Sequence, residues 1–412
     1  MGLKKICYKI QFKVMPKIYL DNSATTKIDK KVFQAMLPYL KEDFGNPSSL
    51  HCFGDIAYKA TIKARNQVAD FLKCNILEVF FTGSATVSNN LAIFGVIRLA
   101  QKKGINKPHI ITSNIEHPAI LEPIRYLEKN DEIEVTYLAV NKEGIIKVED
   151  VKNNLKENTV LVSVMLANNE IGTIQPIAEI AAVLGRCPER SEGFQYPLFH
   201  TDAVQGANYL DCDVNSLGVD LLTLSGHKIY GPKGVGILYK KRSVDIEPII
   251  FGGHQEKGLW PGTESTALIA GIGQAVEGIR NQESGMGKGE RVGKLRDKLM
   301  NGILQNIPNT FLNGSQENRL PNNINISFEG VEGESILMAL NEKGVAVSTG
   351  SACASGNLGA SHVLMALGIG IERAHSSIRF SLGKYNTEKE IDYVLKVMPE
   401  IIKKLRAISP LK

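Results

Sequence analysis

SGHKIYGPKG, residues Ser225 to Gly234, follows directly on the apolar run Val219 to Leu224 and leads into another, Val235 to Tyr239. A strand that ends in a polar turn carrying a lysine is one way a sheet holds an amine at a cleft, beside groups able to bind an anion. Lys228 is therefore the candidate for a lysine that holds an aldehyde as an imine. The same turn also reads as an ordinary hairpin connection with a solvated charge. What stands at the ends of the other strands decides between the two.

Upstream, short β-branched or aromatic runs alternate with amphipathic segments, the pattern of a mostly parallel sheet covered on both faces. Strands are predicted near Val79–Thr82, Ile110–Ser113, Val135–Leu138, Val160–Leu166, Leu198–His200 and Val219–Leu224. Open α/β sheets bind ligands just beyond the carboxyl ends of their strands. That edge carries Thr86, His117, Asn169, Asp202 with Gln205, and Ser225 with His227 and Lys228. A chemically assorted polar residue after most strands points to a single shared site.

Outward from this core, IYLD at Ile18 runs into the polar turn NSATT, GNPSS (Gly45 to Ser49) reads as a loop, and helical spacing spans Ala60 to Leu72. Past about Asn281 the character changes: a helix, an alternating strand Asn323–Phe328, a helix through Ile336–Leu340 and a strand Ile378–Ser381. Thr387 and Glu390 form a capping box for a last helix. The expected architecture is α/β: a large α/β domain over residues 28–281, and a smaller α+β domain from 1–27 and 282–412. Met15 is an alternative start, which leaves the first residues as an extension.

Composition narrows the class. The 412 residues are 43% hydrophobic, enough for two cores, and the net charge of +5 comes from 48 basic against 43 acidic residues with no basic block among aromatics. Nucleic acid is a poor partner for such a chain, and a small substrate a better one. Six cysteines in no CxxC pair or regular spacing argue against a zinc site or a disulfide framework and for a reducing, cytoplasmic setting. MGLKKICYKIQFKVM is broken by lysines and no apolar run is long enough to cross a bilayer, so neither a signal peptide nor a membrane is expected. The stretch GRCPERSEGFQYP is read as a lengthened surface loop.

If Lys228 holds an aldehyde cofactor, pyridoxal phosphate needs an acid at its ring nitrogen, a phosphate cradle and a partner for its ring face. Asp202 suits the ring nitrogen, His117 the ring face and Gln205 the phenolic oxygen. Ala85 and Thr86 precede a helix expected to begin near Ser88, whose positive end, with Ser225 and His227, makes a phosphate pocket. Arg379, charged amid apolar neighbours in SIRFS, suits a substrate carboxylate or equally a structural ion pair. Cys353 lies in the small-residue run STGSACASGN, an unusual setting for a thiol.

The motifs GNPSSLH, NNEIGTIQPI, HTDAVQ, SGHKIYGPKG, PGTES, GSACASG and AHSSIRFSLG, in this order, resemble those of the pyridoxal-phosphate cysteine desulfurases of the NifS and IscS type, in the class V aminotransferase fold. The similarity runs from IYLDNSATT at Ile18 to Gly383. It implies fold type I of the pyridoxal-phosphate transferases, with Lys228 linked to the cofactor, Asp202 and Gln205 holding its ring, and His117 stacked on the ring and assisting proton transfer. Asn169 and Arg379 would contact the substrate, L-cysteine. Thr86, Ser225 and His227 would bind the phosphate, joined by Thr263 of the neighbouring subunit in a homodimer. Cys353 would take the sulfur as a persulfide and pass it to an acceptor or iron-sulfur scaffold protein, the length between Cys353 and Arg379 resembling the long-loop subgroup.

The chain also departs from the pattern. Val87 stands where a glutamate is usual, Trp260 and Pro261 replace basic and small residues before Thr263, and the loop at 186–197 is longer. A selenocysteine lyase or a plain class V aminotransferase would use much of the same apparatus, though the aminotransferase has no use for Cys353. A decayed sulfur-trafficking partner is the reading from another class; the presence of Lys228, Asp202, His117, Arg379 and Cys353 weighs against it.

Overall fold

The first described element is a two-residue strand, β1 (Ile18–Tyr19). A central sheet follows from β2 (Val79–Thr82), β3 (His109–Ser113), β4 (Glu134–Leu138), β5 (Thr159–Ser163), β6 (Leu198–Asp202), β7 (Leu221–Ser225) and β8 (Gly236–Lys240). The computed structural model describes residues 18–185, 196–281, 289–349 and 359–410. Cys353 with the rest of GSACASGN, and most of the loop at 186–197, lie outside the described residues.

The sheet order is β2-β8-β7-β6-β5-β3-β4. Strands β3 to β7 pair in parallel, whereas β8 runs antiparallel to both β2 and β7. The inner strands β3, β5, β6 and β7 are buried at every position, because helices cover both faces and leave no solvent side for polar alternation. Alternate residues feed separate cores: Phe81, Leu222 and Ile237 pack with Val68, Leu72 and Ile272 on one face. Phe80, Leu221 and Leu238 pack with Leu91, Val96 and Ile124 on the other. Each such aliphatic side chain removed from water contributes about 1.5–3 kcal/mol.

Two boundaries differ from the sequence reading. β5 leaves its ladder with β3 at Ser163, while the Val164 and Leu166 amides still donate to the His200 and Asp202 carbonyls of β6 at 3.1 and 2.9 Å, and Val164 to Ala167 remain buried. The helix expected near Ser88 begins at Ala85, with Ser84 as N-cap accepting the Val87 amide at 3.2 Å. Val87 occupies the position where a glutamate would complete a capping box, so the local signal for that start is missing. The helix nonetheless seats closely on the sheet: a Cβ at Gly236 would lie 2.7 Å from the Ala85 amide nitrogen. Only glycine lets β8 pass beneath this helix end.

A second, antiparallel sheet has the order β12-β13-β10-β9, from β9 (Thr310–Leu312), β10 (Asn323–Phe328), β12 (Ser348–Thr349) and β13 (Ser377–Ser381). Helices Glu290–Asn306 and Glu388–Ile408 cover it, the latter started by the expected capping box of Thr387 and Glu390. β1 pairs in parallel with β11 (Val345–Ala346), so Ile18 and Leu20 pack in this core beside Ile324 and Phe380. Among the described residues, no helix is long and apolar enough to cross a membrane.

Candidate active site

Ten of the twelve residues singled out in the sequence line one cavity of about 260 Å³ at the carboxyl edge of the central sheet. β7 ends at Ser225 and breaks into a single tight turn, Gly226–Lys228, which points the lysine side chain back over the sheet edge. Its Nζ donates to the backbone carbonyls of Ser23 and of Ala24, the second at 3.0 Å. The chain then returns along β8, so the turn is both a hairpin connection and the carrier of the amine.

Asp202 ends β6 and is buried; its Oδ2 accepts from Asn89 Nδ2 at 2.7 Å and its Oδ1 from the Val204 amide at 3.0 Å. Two donors orient the carboxylate before any ligand arrives. Gln205, one turn on, donates from Nε2 to the Ser23 carbonyl. His117 caps helix Pro118–Lys129, its Nδ1 accepting the Ala119 amide at 3.0 Å, so a neutral ring carries its proton on Nε2. Burial holds this imidazole below its ordinary range; Asp202 opposes that and the charge on Lys228 adds to it.

The opposite end of the cavity is built for an anion. Ala85 and Thr86 form the first turn of helix Ala85–Lys102, with their amides at its positive end. Ser225 and His227 stand beside them, and His227 Nδ1 lies 3.2 Å from Thr25 Oγ1. Burial, with Lys228 and Lys233 nearby, pushes His227 down to about 4, so at neutral pH it acts as a hydrogen-bonding imidazole without charge.

Arg379, on β13, brings the second sheet to the cavity and is 2% exposed. It is the ion pair that one sequence reading foresaw, with NH2 on Asp21 Oδ1 at 2.9 Å, and NH1 donates to the Asn169 carbonyl at 3.0 Å. Its Nε is buried without a partner. A buried guanidinium donor left unpaired in a cavity wall calls for an acceptor from a ligand.

Thr263 is not brought to this cavity. It is exposed and lines a separate small pocket with Gly83, Trp260 and Glu264. Sequence reasoning missed Asn89, Met165 and the carbonyls of Ser23 and Ala24, all of which line the cavity or hold its residues. It also missed Glu116, wholly buried behind His117, where burial pushes the carboxyl up to about 8 against hydrogen bonds from Ser113 and the Met165 amide. No local pattern announces these groups, because each is recruited through the tertiary fold.

The donor set fits pyridoxal phosphate: an oriented carboxylate, an amine, an imidazole and a helix N-terminus with hydroxyls surround one cavity. Residues 18–394 match the family model for aminotransferase class-V. The cysteine desulfurase IscS of Dictyoglomus turgidum is 48% identical over 397 residues, spanning 96% of this chain and 97% of that protein. The IscS of Methanosarcina thermophila is 47% identical, spanning 96% of this chain and 94% of that protein. Among solved structures, a NifS-like protein superposes with a TM-score of 0.85 at 37% identity, covering 94% of this chain and 100% of that one. The structure described as SspA in complex with cysteine has a TM-score of 0.77 at 35% identity, covering 90% of this chain and 100% of that one. The chain belongs to the class-V aminotransferase family and, within it, to the cysteine desulfurases of the NifS and IscS type.

Proposed function

We propose that this protein is a pyridoxal-phosphate-dependent cysteine desulfurase, which converts L-cysteine to L-alanine and keeps the sulfur as a persulfide on Cys353. The observation that carries the reading is the cavity itself, where Lys228, Asp202 and His117 face a wall holding Arg379 with an unpartnered Nε. The named activity of the IscS relatives, and the cysteine in the SspA structure, agree with it.

When bound, the cofactor supplies an electron sink conjugated to the substrate's Cα. Lys228 Nζ, aimed into the cavity, would anchor it and is the group placed to take the Cα proton. Asp202, fixed by Asn89 and Val204, would hold a proton at the ring nitrogen, and Gln205 would donate to the phenolic oxygen. His117, whose exchangeable proton is at Nε2, would cover the ring face. The amides of Ala85 and Thr86, with Ser225 and His227, would take the phosphate, and Thr263 would join them from the neighbouring subunit of a homodimer. Arg379 and Asn169 fix the substrate carboxylate and so align the bond to be broken. Buried Met165 and Ala167 keep water from the reacting centre.

The sulfur step conserves atoms and electrons. The Cys353 thiolate attacks the substrate sulfur, the S–S bond forms as the bond from Cβ to sulfur breaks, and the electron pair left on the carbon side is protonated to give alanine. The persulfide then goes to an acceptor protein, with iron-sulfur cluster assembly the use we assign to it. Residues 28–281 serve as the cofactor-binding unit, and 1–27 with 282–412 as the unit that carries Cys353.

A single turnover of cofactor-loaded protein with L-cysteine tests this, scoring alanine released and mass gained on the Cys353 peptide. One alanine and one added sulfur per subunit are expected. Neither product from a fully loaded protein would overturn the assignment.

A further inference from the structure

The turn Asp21 to Thr26 touches the site at every end. Asp21 pairs with Arg379, Ser23 and Ala24 offer their carbonyls to Lys228 Nζ, and Thr25 meets His227. Thr26 does something different, because it spans the lysine. Its hydroxyl donates to the His227 carbonyl at 2.9 Å and accepts the Tyr230 amide at 2.8 Å, while its own amide donates to the same His227 carbonyl. One side chain therefore ties the chain on both sides of Lys228.

The segment needs such a tie. Tyr230 has a φ of +63°, in the left-handed region, a conformation that persists in a non-glycine residue only where the surroundings hold it. Thr26 is 6% exposed, so water does not readily replace its hydroxyl. Asn208 completes the arrangement, donating from Nδ2 to the Lys228 carbonyl at 2.7 Å. The backbone groups of residues 227, 228 and 230 are thus each held from outside the turn.

We propose that Thr26 is a positioning residue for Lys228: its hydroxyl fixes the backbone on either side of the lysine, so that Nζ remains at the Ser23 and Ala24 carbonyls, aimed into the cavity. The proposal rests on Lys228 being the lysine that bears the cofactor. Condensation of the amine with the aldehyde, with loss of one water, is then faster because the amine is already in place.

The test uses full-length protein freed of cofactor, for the wild type, Thr26→Val and Thr26→Ser. Pyridoxal phosphate is added, borohydride stops the reaction at intervals, and the labelled Lys228 peptide is quantified by mass. Valine keeps the shape and loses the hydroxyl, so capture is expected to slow about tenfold, while serine keeps it within about twofold of wild type. Capture by Thr26→Val at the wild-type rate overturns the proposal, as does a serine variant as slow as valine. Should the valine variant fail to fold, amide exchange in the wild type decides: the Tyr230 amide must be protected, and exchange at the rate of an exposed turn refutes the bridge. A label on another lysine in the wild type would instead overturn the assignment of Lys228, and the peptide carrying it separates that failure from the first.

Discussion

Replacing Arg379 with glutamine separates what this residue does for the fold from what it does for the substrate. Of its five N–H donors, one is taken by the Asn169 carbonyl and one by Asp21, and Nε–H is buried without a partner. A substrate carboxylate that takes Nε–H and a neighbouring N–H gains two charge-assisted bonds. Their combined worth is about 3 kcal/mol after exchange with water, so kcat/KM for L-cysteine is expected to fall roughly a hundredfold or more in Arg379→Gln. The same change strips Asp21, 19% exposed, of its partner, and the protein loses about 1–2 kcal/mol of stability, less than for a wholly buried pair because water reaches the carboxylate. Adding Asp21→Asn removes the stranded charge. The double variant should recover the unfolding midpoint and none of the catalysis. Initial rates of alanine release against L-cysteine concentration, with thermal unfolding of each protein, make the comparison. The reasoning fails if Arg379→Gln keeps kcat/KM within threefold of wild type, or if the double variant regains rate along with stability.

Cys353→Ala should keep the bound cofactor's colour and lose sulfur transfer, and a persulfide still formed in that variant would assign the nucleophile elsewhere. Lys228→Ala should let the cofactor dialyse away; an unchanged, dialysis-resistant absorbance spectrum would point to another lysine, such as Lys233. Glu116→Gln tests the buried carboxyl. Its pKa is raised from 4.5 to about 8 on folding, so the folded chain holds the extra proton and wild-type stability from this group declines as pH rises from about 4.5 to 8. The glutamine variant should gain on the wild type across that window in urea unfolding, and curves that run parallel would show that Glu116 is ionised in the fold.

The central strands were legible because burial on both faces writes itself as β-branched and apolar runs, and the cavity residues of that sheet because each follows one of those runs. The end of β5 was blurred because past Ser163 the chain leaves β3 yet stays buried and still donates to β6. The start of helix Ala85–Lys102 was misplaced for a definite reason: Ser84 caps it, but with Val87 three residues on, the reciprocal carboxylate that marks such starts is missing. The largest omission was the turn Asp21–Thr26, which looked like any polar connection. Its partners, Lys228 and Arg379, stand about 200 and 360 positions away, and no periodicity carries a contact of that range.

The pairing of Asp21 with Arg379 also bears on the order in which the protein comes into being. The two residues are separated by 358 positions, and a ribosome adds roughly 5–20 residues each second. For tens of seconds the nascent chain therefore carries Asp21 without the guanidinium that it pairs with. Strand β13 must leave the ribosomal tunnel before Asp21 finds its place, so the cavity is completed only after residues up to Ser381 have been made, and cofactor loading waits on that strand.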